Sequence, residues 1–214
     1  MKPIKLKVCG MCLPHQVQQL IRWEVDYIGF IFYKMSPRYV LDHLTTKEIA
    51  KFPHNGKVGV FVNESINNVL RISQEAKLNV VQLHGNETSE YIKELKQSLP
   101  NVKIVKSIAM NTNPNIAKSP FIDAYLLDKA SAAYGGSGEH FNWQDIQQLN
   151  IQQPYILSGG ISPMDLEAIF KLNPQPITVD INSKFEKTAG LKDLKLIEFM
   201  IHELKKFNND TKTT

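Results

Sequence analysis

Eight short apolar runs punctuate this chain, and between most of them lies a stretch with the period of a helix. The runs are Ile4–Cys9, Tyr27–Phe32, Lys57–Phe61, Val80–Leu83, Val102–Ser107, Ala124–Asp128, Tyr155–Ser158 and Ile177–Asp180. Runs of this length, bounded by turn formers, read as strands covered on both faces. Pro14–Glu24, Ile66–Ala76, Ser89–Gln97, Met164–Lys171 and Leu191–Lys206 carry apolar residues three and four apart, which predicts amphipathic helices. Ser65, Thr88 and the pair Ser162-Pro163 stand where N-caps and a first-turn proline belong. The segment NTNPNIAKSP is too proline-rich for a long helix, and the stretch after the sixth run is irregular as far as Trp143–Leu149.

Strand and helix alternating in this way place the chain in the α/β class. A single closed (β/α)8 TIM barrel accounts for all eight strands, and the 214 residues fit the about 200 to 250 that such a barrel occupies. An open doubly wound sheet is the runner-up. It usually carries a dinucleotide fingerprint after its first strand, where this chain has CGMCLP. The barrel is expected over residues 1–207, and the polar residues 208–214 are expected to fray.

In a barrel, the C-terminal ends of the strands converge on one face, and that face holds the active site. The residues placed there are Cys9 and Gly10, then Ser36 to Tyr39, Asn63 and Glu64, His84 and Gly85, Ser107, Asp128, Ser158 to Gly160, and Asp180, Asn182 and Ser183. Asp128 ends an apolar run and precedes the glycine-rich segment Tyr134 to Gly138. Residues Ser158 to Pro163 resemble the phosphate sites of barrel enzymes, in which backbone N–H groups and a helix N-terminus meet an anion. The same turn could need glycine only for its backbone angles. Arg38 offers a planar fork for a carboxylate or phosphate, or is a surface arginine. His84 could orient a hydroxyl, serve as a base, or be structural.

Cys9 and Cys12 form C-x-x-C. A redox pair would need a thioredoxin-like context, and a zinc site would need a further ligand pair at metal spacing. His15 lies on a helix and would diverge from Cys9. A thiol at a strand end can act as a base or nucleophile if its pKa falls from about 8.5 toward neutrality. Cys12 is expected to pack beneath the first helix.

The composition, 43% hydrophobic and 21% charged, is that of an ordinary globular protein. The net charge of +4 is too small and too scattered for a nucleic-acid surface, though it favours a small anionic partner. No run approaches the roughly 18 apolar residues of a membrane span, and the N-terminus lacks a signal-peptide pattern. A cytoplasmic enzyme is expected.

The motifs KVCGM (7–11), GFIFYKMSPRYV (29–40), VGVFVNE (58–64), VVQLHG (80–85), LLD (126–128), YGGSGEHFNW (134–143), LSGGISP (157–163) and VDINSKFE (179–186) together resemble the phosphoribosylanthranilate isomerase family of tryptophan biosynthesis. The resemblance implies an intramolecular oxidoreductase of the aldose–ketose type. Its reaction is the Amadori rearrangement of N-(5-phosphoribosyl)anthranilate to 1-(o-carboxyphenylamino)-1-deoxyribulose 5-phosphate. It also implies roles for individual residues. Asp128 would be the general acid at the furanose ring oxygen, and Cys9 the general base at C2. Arg38 would hold the anthranilate carboxylate, with His84 beside the substrate, and Gly159, Gly160, Asp180 and Asn182 would surround the phosphate. No metal or cofactor is implied, nor any nucleic-acid or membrane partner, and the chain would be a monomer or homodimer. The rival within the same fold is an isomerase or epimerase of another phosphosugar; a binding module without turnover is the third reading. Two departures stand out: Asn142 where the family has aspartate, and Lys184 where it has glycine.

Overall fold

The computed structural model describes residues 2–110, 116, 118–129, 143, 145–146, 149 and 151–210. Strands β1 (Lys5–Val8), β2 (Tyr27–Ile31), β3 (Lys57–Phe61), β4 (Val80–Leu83), β5 (Lys103–Ala109), β6 (Ala124–Asp128), β7 (Tyr155–Leu157) and β8 (Thr178–Ile181) form a closed barrel in sequence order. β8 closes on β1 in parallel, with Lys5 opposite Thr178 and Lys7 opposite Asp180. Alternate residues of each strand serve two cores. Outward-facing Val8, Ile28, Phe30, Phe61, Leu83, Leu127 and Val179 meet the helices, while Cys9, Val58, Val60, Val80, Val105, Ala124, Leu126 and Ile156 fill the interior. Burial on both sides is why the runs are apolar throughout rather than alternating.

Helices α1 (Pro14–Arg22), α3 (Ile66–Glu75) and α4 (Ser89–Ser98) fall where the periodicity places them, and the Ser65 and Thr88 side chains accept from Asn68 N and Tyr91 N. A six-residue helix unforeseen from periodicity, α2 (Thr46–Lys51), begins at a capping box between Thr45 and Glu48. Its last carbonyls, those of Ile49, Ala50 and Phe52, face the buried Lys57 Nζ at 3.5, 3.4 and 3.3 Å. After β7, a 3-10 turn (Pro163–Asp165) leads into α5 (Leu166–Phe170).

The C-terminal region departs from expectation at both ends. Leu191 and Lys192 are not helical. They form β10 (Leu191–Lys192), antiparallel to β9 (Glu186–Thr188), and α6 (Leu194–Asp210) starts only after Asp193, whose Oδ1 accepts from Lys195 N and Leu196 N. α6 then continues three residues into the segment expected to fray. The reason is local: Asn208 Oδ1 accepts from Ile4 N at 2.8 Å and its Nδ2 donates to Ile4 O at 2.9 Å, tying the helix end to β1. The glycine-rich Tyr134 to Gly138 and three residues of the Trp143–Leu149 stretch lie outside the described residues. Among the described residues, no helix is long and apolar enough to cross a membrane.

Candidate active site

Closure of the barrel brings Cys9, Arg38, His84, Asp128, Gly159, Gly160, Asp180 and Asn182 to the walls of one pocket at the C-terminal mouth. The environments of these residues differ sharply.

Cys9 ends β1 and is buried. Gly29 on β2 makes room for it, since a Cβ there would lie 2.8 Å from the sulfur. Two residues earlier on the same face, Lys7 Nζ donates to Asp180 Oδ2 at 2.7 Å and to Gln82 Oε1 at 2.8 Å. Burial opposes the Lys7 charge, but Asp180 and Cys9 outweigh it and raise the ammonium above its usual value. Asp180 therefore faces Lys7 inside the barrel while also lining the pocket where the phosphate is expected. A carboxylate has no hydrogen to offer a phosphate and repels its charge. The expected depression of the Cys9 thiol is corrected. Burial pushes it up from its ordinary value, with Lys7 and Lys192 pulling the other way.

Asp128, at the end of β6, lies across the mouth. Burial, reinforced by Asp180, raises its carboxyl from 3.8 to about 6, against the opposing Lys129 backbone N–H and Lys7. His84 Nε2 approaches Asp128 Oδ2 at 3.6 Å. Burial, with Lys7 and Lys106 nearby, lowers His84 to about 4, so its ring is neutral near pH 7. Gly159 (φ 91°) and Gly160 (φ 62°) hold left-handed backbone that side chains disfavour. A Cβ on Gly159 would lie 3.0 Å from Asp128 Oδ1, so the glycine also clears space beside the carboxyl. Two residues beyond Gly160, the Ser162 N–H is already taken by Asp165 Oδ2 at 2.7 Å.

On the third side, the β9–β10 hairpin inserts a buried ion pair that sequence reasoning missed. Glu186 accepts from Arg38 Nε and Nη2 and, at 2.8 Å, from Lys192 Nζ. Burial raises the Glu186 carboxyl, but Arg38 and Lys192 outweigh it and hold it below the usual range. Arg38 thus has one edge of its fork on Glu186. Lys192 Nζ also donates to Asn182 Oδ1 at 2.7 Å, which turns the amide nitrogen of Asn182 the other way. Lys7 and Gln82 were missed too. Their signal was parity: each stands two residues before a mouth residue, Cys9 and His84, and so shares its inward face. Glu186 and Lys192 gave no comparable signal.

Cys12 is buried apart from Cys9, its sulfur near the carbonyls of Gly10 (3.7 Å) and Arg38 (3.6 Å) and its thiol pushed up to about 11, chiefly by burial. Among the described residues, no group of three His, Cys, Asp or Glu is placed to hold a metal.

A family model described as N-(5'phosphoribosyl)anthranilate (PRA) isomerase matches residues 6–203. The N-(5'-phosphoribosyl)anthranilate isomerase of Phocaeicola vulgatus is 37% identical over 203 residues, covering 94% of this chain and 97% of its own length. That of Zymomonas mobilis is 32% identical over 205 residues, covering 92% and 96%. Among solved structures, the phosphoribosyl anthranilate isomerase of Thermus thermophilus superposes with a TM-score of 0.82 at 25% identity, covering 95% of this chain and 99% of that one. The Thermotoga maritima enzyme gives 0.77 at 26% identity, covering 94% and 98%.

Proposed function

Because the chain belongs to the N-(5'-phosphoribosyl)anthranilate isomerase family, an isomerase family of tryptophan biosynthesis, we propose that Asp128 and Cys9 divide that reaction's acid and base steps between opposite walls of the barrel mouth. Asp128, inclined to keep its proton, gives it to the furanose ring oxygen. The C1–O bond breaks, and the substrate nitrogen supplies the electron pair that forms the iminium. Cys9, as thiolate, then removes the proton from C2, and the C–H electrons flow into the iminium to give an enolamine. Tautomerisation of the enolamine yields the ketone, and the reaction is a net isomerisation. The observation that carries this reading is the contrast between a carboxyl held near neutrality by burial and a thiol flanked by two ammonium groups in one pocket. The iminium adds a third positive charge near the thiol at the moment it must ionise, offsetting the burial that otherwise keeps it protonated.

Substrate recognition follows from the same walls. Arg38 retains the Nη1 side of its fork for the anthranilate carboxylate while Glu186 steadies the other. The Gly159–Gly160 turn and the Asn182 amide take the phosphate, and Lys184, also on the pocket wall, adds positive charge. The setting is cytoplasmic. The experiment is turnover of phosphoribosylanthranilate followed by loss of its fluorescence. Cys9→Ala and Asp128→Asn are each expected to lower the rate by roughly 10²–10⁴-fold; near-normal turnover in either variant removes the role assigned to that residue.

A further inference from the structure

We infer that Lys7, Gln82 and His84 form a fixed hydrogen-bond relay in which His84 is a positioning residue, its Nε2–H aimed at Asp128 to meet the carboxylate charge left when the acid gives up its proton. This rests on the reading of Asp128 as the acid.

The relay follows from donor and acceptor counts. Lys7 Nζ has only hydrogens to give, and it lies 2.8 Å from the side-chain oxygen of Gln82. Gln82 must therefore turn its oxygen to Lys7 and its NH2 to the other side. There, Nε2 stands 3.2 Å from His84 Nδ1. An amide nitrogen also has only hydrogens to give, so Nδ1 must present its lone pair. A neutral imidazole carries one hydrogen, and it is left on Nε2. That nitrogen is the one 3.6 Å from Asp128 Oδ2. The separation is longer than a hydrogen bond and is of the kind that tightens when substrate and charge arrive.

The direction of this N–H decides what His84 does for Asp128. The Lys129 backbone N–H bears on the same carboxyl, so both donors favour its charged form against the burial that holds the transferable proton. When it leaves, the new carboxylate charge is met by Nε2–H, and no proton moves along the relay. The charged groups around the two residues are Lys7 on β1, Asp180 on β8, Lys106 on β5, and Glu87 after β4. His84 as a base or a lone-pair acceptor toward substrate would need the opposite tautomer, which Lys7 and Gln82 do not permit.

Gln82→Glu tests the relay without touching the mouth residues. A carboxylate between Lys7 and His84 accepts from both, so the hydrogen must move to Nδ1 or the ring must become charged. Nitrogen-15 NMR of the histidine ring is expected to show the Nε2–H tautomer in the wild type and loss of that form in Gln82→Glu. In turnover, Gln82→Glu and His84→Leu should each lower kcat by roughly 10–100-fold, the worth of one hydrogen bond to a charge, with KM within about twofold. His84→Gln, which can restore an N–H near the Nε2 position, should recover much of what His84→Leu loses. The double variant Gln82→Glu/His84→Leu should be no slower than His84→Leu alone, because Gln82 acts through His84. A wild-type Nδ1–H tautomer, an unchanged tautomer in Gln82→Glu, or additive losses in the double variant overturn the relay. Gln82→Met, which removes the amide altogether, provides the same kinetic comparison should the Glu variant misfold. Normal turnover in Asp128→Asn would instead defeat the acid assignment and leave the tautomer result standing.

Discussion

Above Gln82 the barrel interior holds Cys9, His84, Asp128 and Asp180. Below it, Tyr27, Val58, Val80, Val105, Ala124 and Ile156 surround a cavity of about 250 Å³ at the N-terminal floor. Both regions are built from the same strands, two residues apart. Gln82 lines both spaces, and Lys7 rises from the floor to reach Asp180 at the mouth. These three side chains form a polar plug between a region crowded with titratable groups and one governed by packing. The low-polarity floor lies beneath charges that water would otherwise screen, and so makes each pairing above it matter more. The contrast also shows where stability is given up. The mouth carries buried charge whose removal from water is costly, while the floor gives up only contacts around a void.

The hardest blow to this division is expected from Lys7→Met. Lys7 is 1% exposed and Asp180 6%, so the variant strands a carboxylate with its partner gone. Breaking a buried pair in this way costs about 3–5 kcal/mol, read as a lower urea midpoint at constant slope. Lys7→Met/Asp180→Leu, which carries the apolar floor one layer upward, should recover most of that loss. If the single variant costs less than about 1 kcal/mol, the plug is not the electrostatic boundary described.

A smaller effect separates the two titrating groups of the mouth. Asp128 is raised from 3.8 to about 6, so its contribution to stability is present below the unfolded value and is lost as pH rises through about 6. His84 is lowered from 6.5 to about 4, so its contribution is present above the unfolded value and is lost as pH falls through about 4. Between these limits the two slopes oppose each other and nearly cancel in the wild type. Each single variant should expose the other group's slope, at most about 1.4 kcal/mol per pH unit. Asp128→Asn should become more stable from pH 4 to 6.5, and His84→Gln less stable. Urea midpoints across that range decide it; parallel profiles in the two variants would remove the opposition.

The difference between mouth and floor also marks what could be read without coordinates. The eight strands were legible because burial on both faces leaves unbroken apolar runs, and Cys9 and Asp128 were legible because they end such runs. Their partners were not. Lys7, Gln82, Glu186 and Lys192 look like ordinary polar residues until barrel closure sets Lys7 across from Asp180 and Gln82, and the hairpin brings Glu186 to Arg38 and Lys192 to Asn182. The direction of the Cys9 shift was misjudged for the same reason, since desolvation by seven other strands has no local trace in the chain. Helix α2 did carry a legible sign, Thr45-x-x-Glu48, but six residues are too few for periodicity to support it. The β9–β10 hairpin pairs over only a few residues and leads directly into a helix, so Leu191 was absorbed into that helix's pattern.

The mildest test lies on the floor. Thr178 is fully buried and lines the floor cavity, two residues before Asp180 on β8, and its Oγ1 has no hydrogen-bond partner among the described residues. One oxygen of Asp180, Oδ1, is likewise without a partner, so one strand carries an orphaned polar atom in each region. At the mouth such an atom belongs to a charged group that Lys7 needs, and removing it breaks the plug. On the floor the hydroxyl serves neither Lys7 nor the mouth pocket. Thr178→Val keeps the branched shape and exchanges the hydroxyl for a methyl group, relieving a buried donor of about 1–3 kcal/mol in lost solvation. A gain on the order of 1 kcal/mol is expected, a rise of roughly 2–4 °C in Tm for a chain of this size, with kcat and KM unchanged. A loss of stability would place the hydroxyl in an interaction of its own and extend polar organisation below the plug. A change in kcat would show that the floor communicates with the mouth through β8, so that Lys7, Gln82 and Asp180 join the two regions rather than divide them.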